Sequence, residues 1–283
     1  MRQRRLGSTD VELPIIGQGT WDLPPAGYGR RQAIAALRCG IEQGMVHIDT
    51  AEMYDDGAVE ELLAEAIAPI PRRSLFLTSK VVPGNATYDG TIAACERSLR
   101  RLGTEYLDLY LLHWPSQHPL EETMRAFGTL VASGKVRYVG VSNFDLDEMR
   151  QAQSYLGSVP LTVNQVLYHP LERGIERRLL PYCAQHCIAI VGYTPFARGR
   201  IAARALSGDG VLGRIAARHA ATPRQVILAF LTRLPALFAI PKAATVPHVM
   251  ENAGAGDLCL DDAEIAQIDA AFPIGEDAPL ATL

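Results

Sequence analysis

Short apolar runs recur along this chain, and each gives way to a stretch whose apolar positions return every three to four residues. Continuous or alternating runs mark strands, and a 3.6-residue period marks amphipathic helices. The runs predict strands at about 15–20, 46–49, 75–80, 107–113, 137–142, 162–165, 188–193 and 237–241. Amphipathic helices are predicted between them, for example over 30–44, 58–68, 89–103 and 222–234. Thr222, Pro223 and Gln225 form a capping-box pattern at the start of that last segment, and Asp261 with Glu264 forms another ahead of a final helix. Residues 1–14, turning at Gly7-Ser8-Thr9-Asp10, predict a hairpin before the first strand. Eight strands alternating with helices predict an α/β fold, a single (β/α)8 TIM barrel with an N-terminal β-hairpin before the first barrel strand. With no Ser/Gly/Pro-rich linker and no internal repeat, residues 1–283 are expected to be one domain.

Six of the runs close on a polar or ionisable residue: Asp49, Lys80, His113, Asn143, Gln165 and Tyr193. Parallel barrel strands emerge on one rim, and in barrel enzymes that rim carries the chemistry. Tyr54 lies just after Asp49. A free phenol titrates near ~10; a neighbouring ammonium favours the phenolate, and a carboxylate holds that ammonium in place. Tyr54, Lys80 and Asp49 can thus make a proton donor, with His113 donating a hydrogen bond to the same oxygen. Each residue alone has a plainer role: half-buried packing for Tyr54, snorkelling for Lys80, structure for His113. Their coincidence on successive strand ends points to a site.

Composition narrows the picture. The 283 residues suit one large barrel, and the 48% apolar content suits a large core. A formal net charge of -4 gives no reason to expect nucleic acid. The basic N-terminus lacks an apolar stretch behind it, and no apolar run reaches ~18 residues, so no membrane partner is expected and the protein is read as cytoplasmic. Five scattered cysteines fit a reducing compartment. Cys183, His186 and Cys187 have no second Cys/His pair nearby, and no metal site is expected.

The segments DTAEMY (49–54), LTSKV (77–81), DLYLLHWP (108–115), GVSNF (140–144), NQVLYHP (164–170), GYTPFARGR (192–200) and IPKAATVPHVMEN (240–252) resemble, in order and spacing, the aldo-keto reductase family. The match runs over essentially the whole chain and is nearest to bacterial members that reduce methylglyoxal and small aldehydes, with diketogluconate reductases as near relatives. The resemblance implies a catalytic tetrad of Asp49, Tyr54, Lys80 and His113. It implies NADPH (NADP+) bound without a Rossmann domain; no GxGxxG follows a strand here. By position, Ser142, Asn143 and Gln165 would hold the nicotinamide carboxamide, and Tyr193 would stack on its ring, with Thr194, Pro195 and Phe196 following. Gly19, Thr20 and Trp21 would line the nicotinamide end, and Trp21 and Trp114 the carbonyl pocket beside Tyr54 and His113. Capping by Ser142-Asn143 and core packing by Tyr193 are the plainer alternatives. Lys242 would read the extra ribose phosphate and Glu251-Asn252 the adenine. The chain has Ala243 and His248 where the family often has serine and arginine; an imidazole is a weaker phosphate ligand than a guanidinium, so some NADH use is expected.

The expected function is therefore reduction of small carbonyl substrates by NADPH, performed by a monomer. The short 81–88 connection and short tail after the final helix suggest a shallow mouth suited to methylglyoxal-like 2-oxoaldehydes and not to steroids. Two other classes stand beside it: a non-catalytic NADP(H)-binding regulatory subunit, and a Schiff-base barrel lyase using Lys80 as nucleophile.

Overall fold

The computed structural model describes residues 1–276 and 278–283. Strands β1 (Gln3–Arg5) and β2 (Glu12–Pro14) pair antiparallel as the expected hairpin. The chain turns through Gly7 at φ 54, and Thr9 Oγ1 donates to the Leu6 carbonyl. Eight further strands follow: β3 (Gln18–Gly19), β4 (His47–Asp49), β5 (Phe76–Val81), β6 (Leu107–Leu112), β7 (Val136–Ser142), β8 (Leu161–Leu167), β9 (Ala189–Tyr193) and β10 (Leu237–Ala239). They pair in chain order and all pairings are parallel. Parallel bridges Ile16↔Ala239 and Gly19↔Lys242 join first to last and close the barrel.

Gly19 is required by that closure. A Cβ there would sit 2.7 Å from the Ile240 carbonyl oxygen, so the need for glycine comes from the adjoining chain just after β10.

Side chains alternate across the strands. Leu109 and Leu111 face the lumen with Phe76, Val163, Val191 and Phe238, while Tyr110 and Leu112 face the helices. Leu6 and Leu13 of the hairpin join the lumen cluster and plug its N-terminal end. The predicted helices form at Gly27–Glu42, Ala58–Ile67, Tyr88–Leu102, Pro223–Leu231 and Asp262–Ala271, and the Thr222 and Asp261 capping boxes form with both reciprocal bonds. Asp145, not Ser142 or Asn143, caps the helix Leu146–Leu156, which leaves those two side chains free for other partners. No helix among the described residues is long and apolar enough to cross a membrane.

Candidate active site

Strand register sets the height of the rim residues. Asp49 ends β4, Lys80 lies one residue before the end of β5, and His113 follows β6. Lys80 is fully buried, and its ammonium donates to Asp49 Oδ1 at 2.5 Å, to the Thr50 carbonyl at 2.8 Å and to Tyr54 Oη at 3.3 Å. Those contacts use the donor capacity of an ammonium in full. On its other side, Asp49 Oδ2 accepts from Gln165 Nε2 at 2.7 Å, across the barrel.

Tyr54 is carried by the loop after β4, and Glu52 ties that loop down. Its Oε1 accepts from the Val82 backbone N–H (3.0 Å) and Asn85 Nδ2 (2.9 Å), and Oε2 pairs with Arg97 at 3.1 Å. Directly after Tyr54 the chain passes through left-handed Asp55, Asp56 and Gly57, with φ 49, 51 and 93. Such conformations are costly for non-glycine residues and persist only where the surroundings impose them. In the sequence Glu52 shows only as an acidic residue inside DTAEMY, and its role depends on contacts thirty residues or more away.

The electrostatics are set first by burial. It pushes the Tyr54 phenol above its usual value, outweighing the opposing effect of the Lys80 ammonium, while Asp49 pushes the same way as burial. The ammonium does favour phenolate, as expected, but burial outweighs it and holds Tyr54 as a neutral phenol. For Lys80, burial works against the ammonium, but Asp49 and Tyr54 raise it to a net value above the ordinary lysine range. Burial, with help from the Lys80 charge, pushes the His113 imidazole well below its ordinary value, so the ring is neutral. A neutral imidazole offers one N–H donor and one acceptor. Buried His113 Nδ1 has no partner among the described residues, and the ring lies edge-on to Tyr54, centroids 5.8 Å apart.

A cavity of about 630 Å³ opens above these groups, lined by Gly19, Thr20, Trp21, Asp49, Tyr54, His113, Trp114, Ser142, Asn143, Gln165, Tyr193, Thr194, Pro195, Phe196 and Lys242. On its polar wall, Ser142 Oγ donates to the Gln165 carbonyl at 2.9 Å and Tyr193 Oη donates to Asn143 Oδ1 at 2.8 Å. Gln165 Oε1 has no hydrogen bond among the described residues. At the far end Lys242 is exposed, and Asp22 approaches it at 3.7 Å. Ala243, His248, Glu251 and Asn252 do not line this cavity; the last three belong to the helix Val246–Gly254, where Glu251 pairs with Arg224. Asp22, Met53, Arg198, Ile240 and Leu283 line it without having been singled out. Leu283 shows that the tail, though short, reaches the cavity. Among the described residues no three His, Cys, Asp or Glu side chains group as a metal site, and His186 instead packs on the Tyr182 ring.

A neutral phenol, a paired ammonium and a neutral imidazole gather at the C-terminal rim of a barrel, groups with the chemical means to give and take a proton. The aldo/keto reductase family profile matches residues 15–272. Methylglyoxal reductase YeaE of Escherichia coli is 45% identical over 94% of this chain and 93% of its own length. An aldo/keto reductase from Klebsiella pneumoniae, solved in complex with NADP and acetate, superposes with a TM-score of 0.91 at 42% identity, covering 99% of both chains. Another Klebsiella pneumoniae aldo-keto reductase structure, in complex with NADPH, gives 0.91 at 41% identity over 100% of both. The chain belongs to the aldo/keto reductase family.

Proposed function

We propose that this chain, acting as one barrel unit over residues 1–283, reduces small aldehydes and methylglyoxal-like 2-oxoaldehydes to alcohols with NADPH, Tyr54 being the general acid. The observation that carries this reading is the buried Lys80 ammonium held between the Asp49 carboxylate and the Tyr54 phenol at the floor of the cavity. The relative named for methylglyoxal reduction and the NADP- and NADPH-bound neighbours support the substrate class and the cofactor.

The donor set fits a nicotinamide dinucleotide. Gln165 Oε1 is a spare acceptor for a carboxamide N–H, Ser142 and Asn143 stand beside it, the Tyr193 ring offers an apolar face, and Lys242 supplies a cation at the far end. Bound NADPH supplies the hydride that reduces the carbonyl carbon. Tyr54 then gives its proton to the carbonyl oxygen, while His113 donates one hydrogen bond to that oxygen and holds it in line. Lys80, fixed by Asp49, stabilises the phenolate left on Tyr54. Gln165 holds the second oxygen of Asp49, so the wall that contacts the cofactor also orients the ion pair. With Asp22 beside it, and with Ala243 and His248 weaker phosphate donors than a serine and an arginine would be, Lys242 gives a partial preference for NADPH over NADH.

The lyase reading needs a lysine that readily loses its proton, and Lys80 is held as an ammonium. The regulatory reading leaves the neutral Tyr54 phenol at the cavity floor without a task. The test is a carbonyl panel assayed with NADPH and NADH in parallel. Methylglyoxal and short or electron-poor aldehydes should give the highest kcat/KM, and steroid ketones almost none. A steroid turned over more efficiently than methylglyoxal contradicts the substrate class, and failure of every carbonyl to drive NADPH oxidation contradicts reduction itself.

A further inference from the structure

The loop that carries Tyr54 is held from outside the cavity. Helix Tyr88–Leu102 packs on β5 and on helix Ala58–Ile67, and it presents Arg97 and Arg101, one turn apart on one face, to the two ends of that loop. Before Tyr54, Arg97 pairs with Glu52 Oε2 at 3.1 Å, and the other oxygen of this buried carboxylate accepts from Val82 and Asn85, in the segment that follows Lys80. After Tyr54, Arg101 lies against left-handed Gly57, where a Cβ would fall on its guanidinium, and it donates to Glu60 at 3.2 Å. Glu60 is fully buried and accepts from Ser79 Oγ at 2.7 Å, on the residue before Lys80. Two carboxylates thus tie both sides of the Tyr54 loop to the strand of Lys80, and one helix supplies the cations that pair with them. Neither the carboxylates nor the arginines line the cavity.

We infer that Glu52 and Arg97 are positioning residues for the reduction: their pair holds the Tyr54 phenol at the Lys80 ammonium, while Arg101 and Glu60 hold the far end of the loop. The contact to Tyr54 is the longest of the three that the ammonium makes, 3.3 Å against 2.5 and 2.8 Å, so it is the one a small shift of the loop breaks first. Asp49 and Thr50 sit at the strand end itself, whereas Tyr54 stands further out and is followed by three residues in a left-handed backbone. A loop of that shape persists only while its surroundings impose it. A buried carboxylate that loses its cation is costly to keep in place, so removing Arg97 drives Glu52 toward water and draws the loop with it. The inference rests on the reading of Tyr54 as general acid and deepens it.

The test is a double-mutant cycle against Tyr54→Phe, read by single-turnover reduction of methylglyoxal, with NADPH binding followed by fluorescence. In the otherwise wild-type protein, Glu52→Ala should slow reduction by roughly 10- to 10²-fold, the scale on which a small misplacement of a catalytic group costs rate, and leave NADPH affinity near wild type. Arg97→Met should slow it less, Arg97→Lys should recover part of that loss, and Arg100→Met, on the exposed face of the same helix, should leave the rate in place. In the Tyr54→Phe background Glu52→Ala should add no further slowing, because the group it positions is already gone. Equal slowing in both backgrounds overturns the inference, since the residue then acts on the fold at large. An unchanged rate in Glu52→Ala beside a slow Tyr54→Phe contradicts the clasp alone. A Tyr54→Phe protein that reduces methylglyoxal at the wild-type rate contradicts the general-acid reading, and this inference with it. If Glu52→Ala fails to fold, Glu52→Gln takes its place in the cycle. It keeps an oxygen for Val82 and Asn85 and loses the charge that pairs with Arg97, so it should slow reduction less and show the same loss of effect in Tyr54→Phe.

Discussion

The two ends of this barrel each bury a carboxylate and satisfy it differently. Near the N-terminal end, Asp108 accepts from Arg72 at 2.6 Å, from Arg137 at 3.0 Å and from the Leu77 backbone N–H at 2.9 Å, and beside it the hairpin leucines close the lumen. At the C-terminal rim, Asp49 is paired just as closely, but groups around it have capacity left over. Gln165 retains an unbonded oxygen, the His113 ring lines the cavity, and Tyr54 keeps a hydroxyl proton within its reach. Polar groups that bond only to one another make structure, whereas groups with spare donors and acceptors facing a cavity are available for chemistry. Substitutions at the two ends should therefore move different quantities.

The largest effect belongs to the rim. Lys80→Met should lower kcat by roughly 10²- to 10⁴-fold, because Tyr54 loses the cation that stabilises its anion. It also leaves Asp49 buried beside one neutral donor, which should cost about 3–5 kcal/mol of stability. Adding Asp49→Asn should recover much of that stability and none of the turnover, as read by denaturant melts and steady-state assays on the same preparations. Recovery of turnover in the double variant would show that the pair serves structure alone.

At the opposite end, Leu6→Ala removes a fully buried hairpin side chain from the lumen plug and should destabilise the fold by about 3 kcal/mol, within the usual range for buried leucine truncation. Its kcat/KM for methylglyoxal at a temperature well below unfolding should stay near wild type. A large drop in kcat with stability intact would mean the plug positions the rim, and the contrast between the two ends would fail.

The smallest effect is expected at the distal end of the cavity. Lys242→Met should raise the NADPH KM about tenfold, the loss of one partly exposed phosphate contact, and leave the NADH KM nearly unchanged. Equal shifts for the two cofactors would mean that Lys242 does not distinguish them.

Much of this contrast was legible in the sequence because a parallel barrel repeats one unit. Each apolar run had to end at the same rim, so Asp49, Lys80, His113, Asn143, Gln165 and Tyr193 could be placed on it from the pattern alone. Capping boxes at Thr222 and Asp261 were legible because their partners stand three residues apart. Relations across the barrel were not. The Gln165–Asp49 bond depends on the geometry of a closed sheet, and the Glu52–Arg97 pair joins a loop to a helix far along the sequence. Residue types gave the participants around Tyr54 but not the balance among them, since burial opposes the ammonium and its strength depends on how deeply the packed loop seats the ring. The approach of Leu283 to the cavity carried no local signal, because a terminal segment's path is set by the surface it crosses.

The central claim, that Tyr54 donates the proton, is tested most directly by Tyr54→Phe, with NADPH binding measured by fluorescence and single-turnover reduction of methylglyoxal measured in the same protein. Removing only the hydroxyl should leave NADPH affinity near wild type and slow the reduction by roughly 10²- to 10⁴-fold, the usual scale for loss of a general acid. Single-turnover reduction at a near wild-type rate with NADPH bound would contradict it.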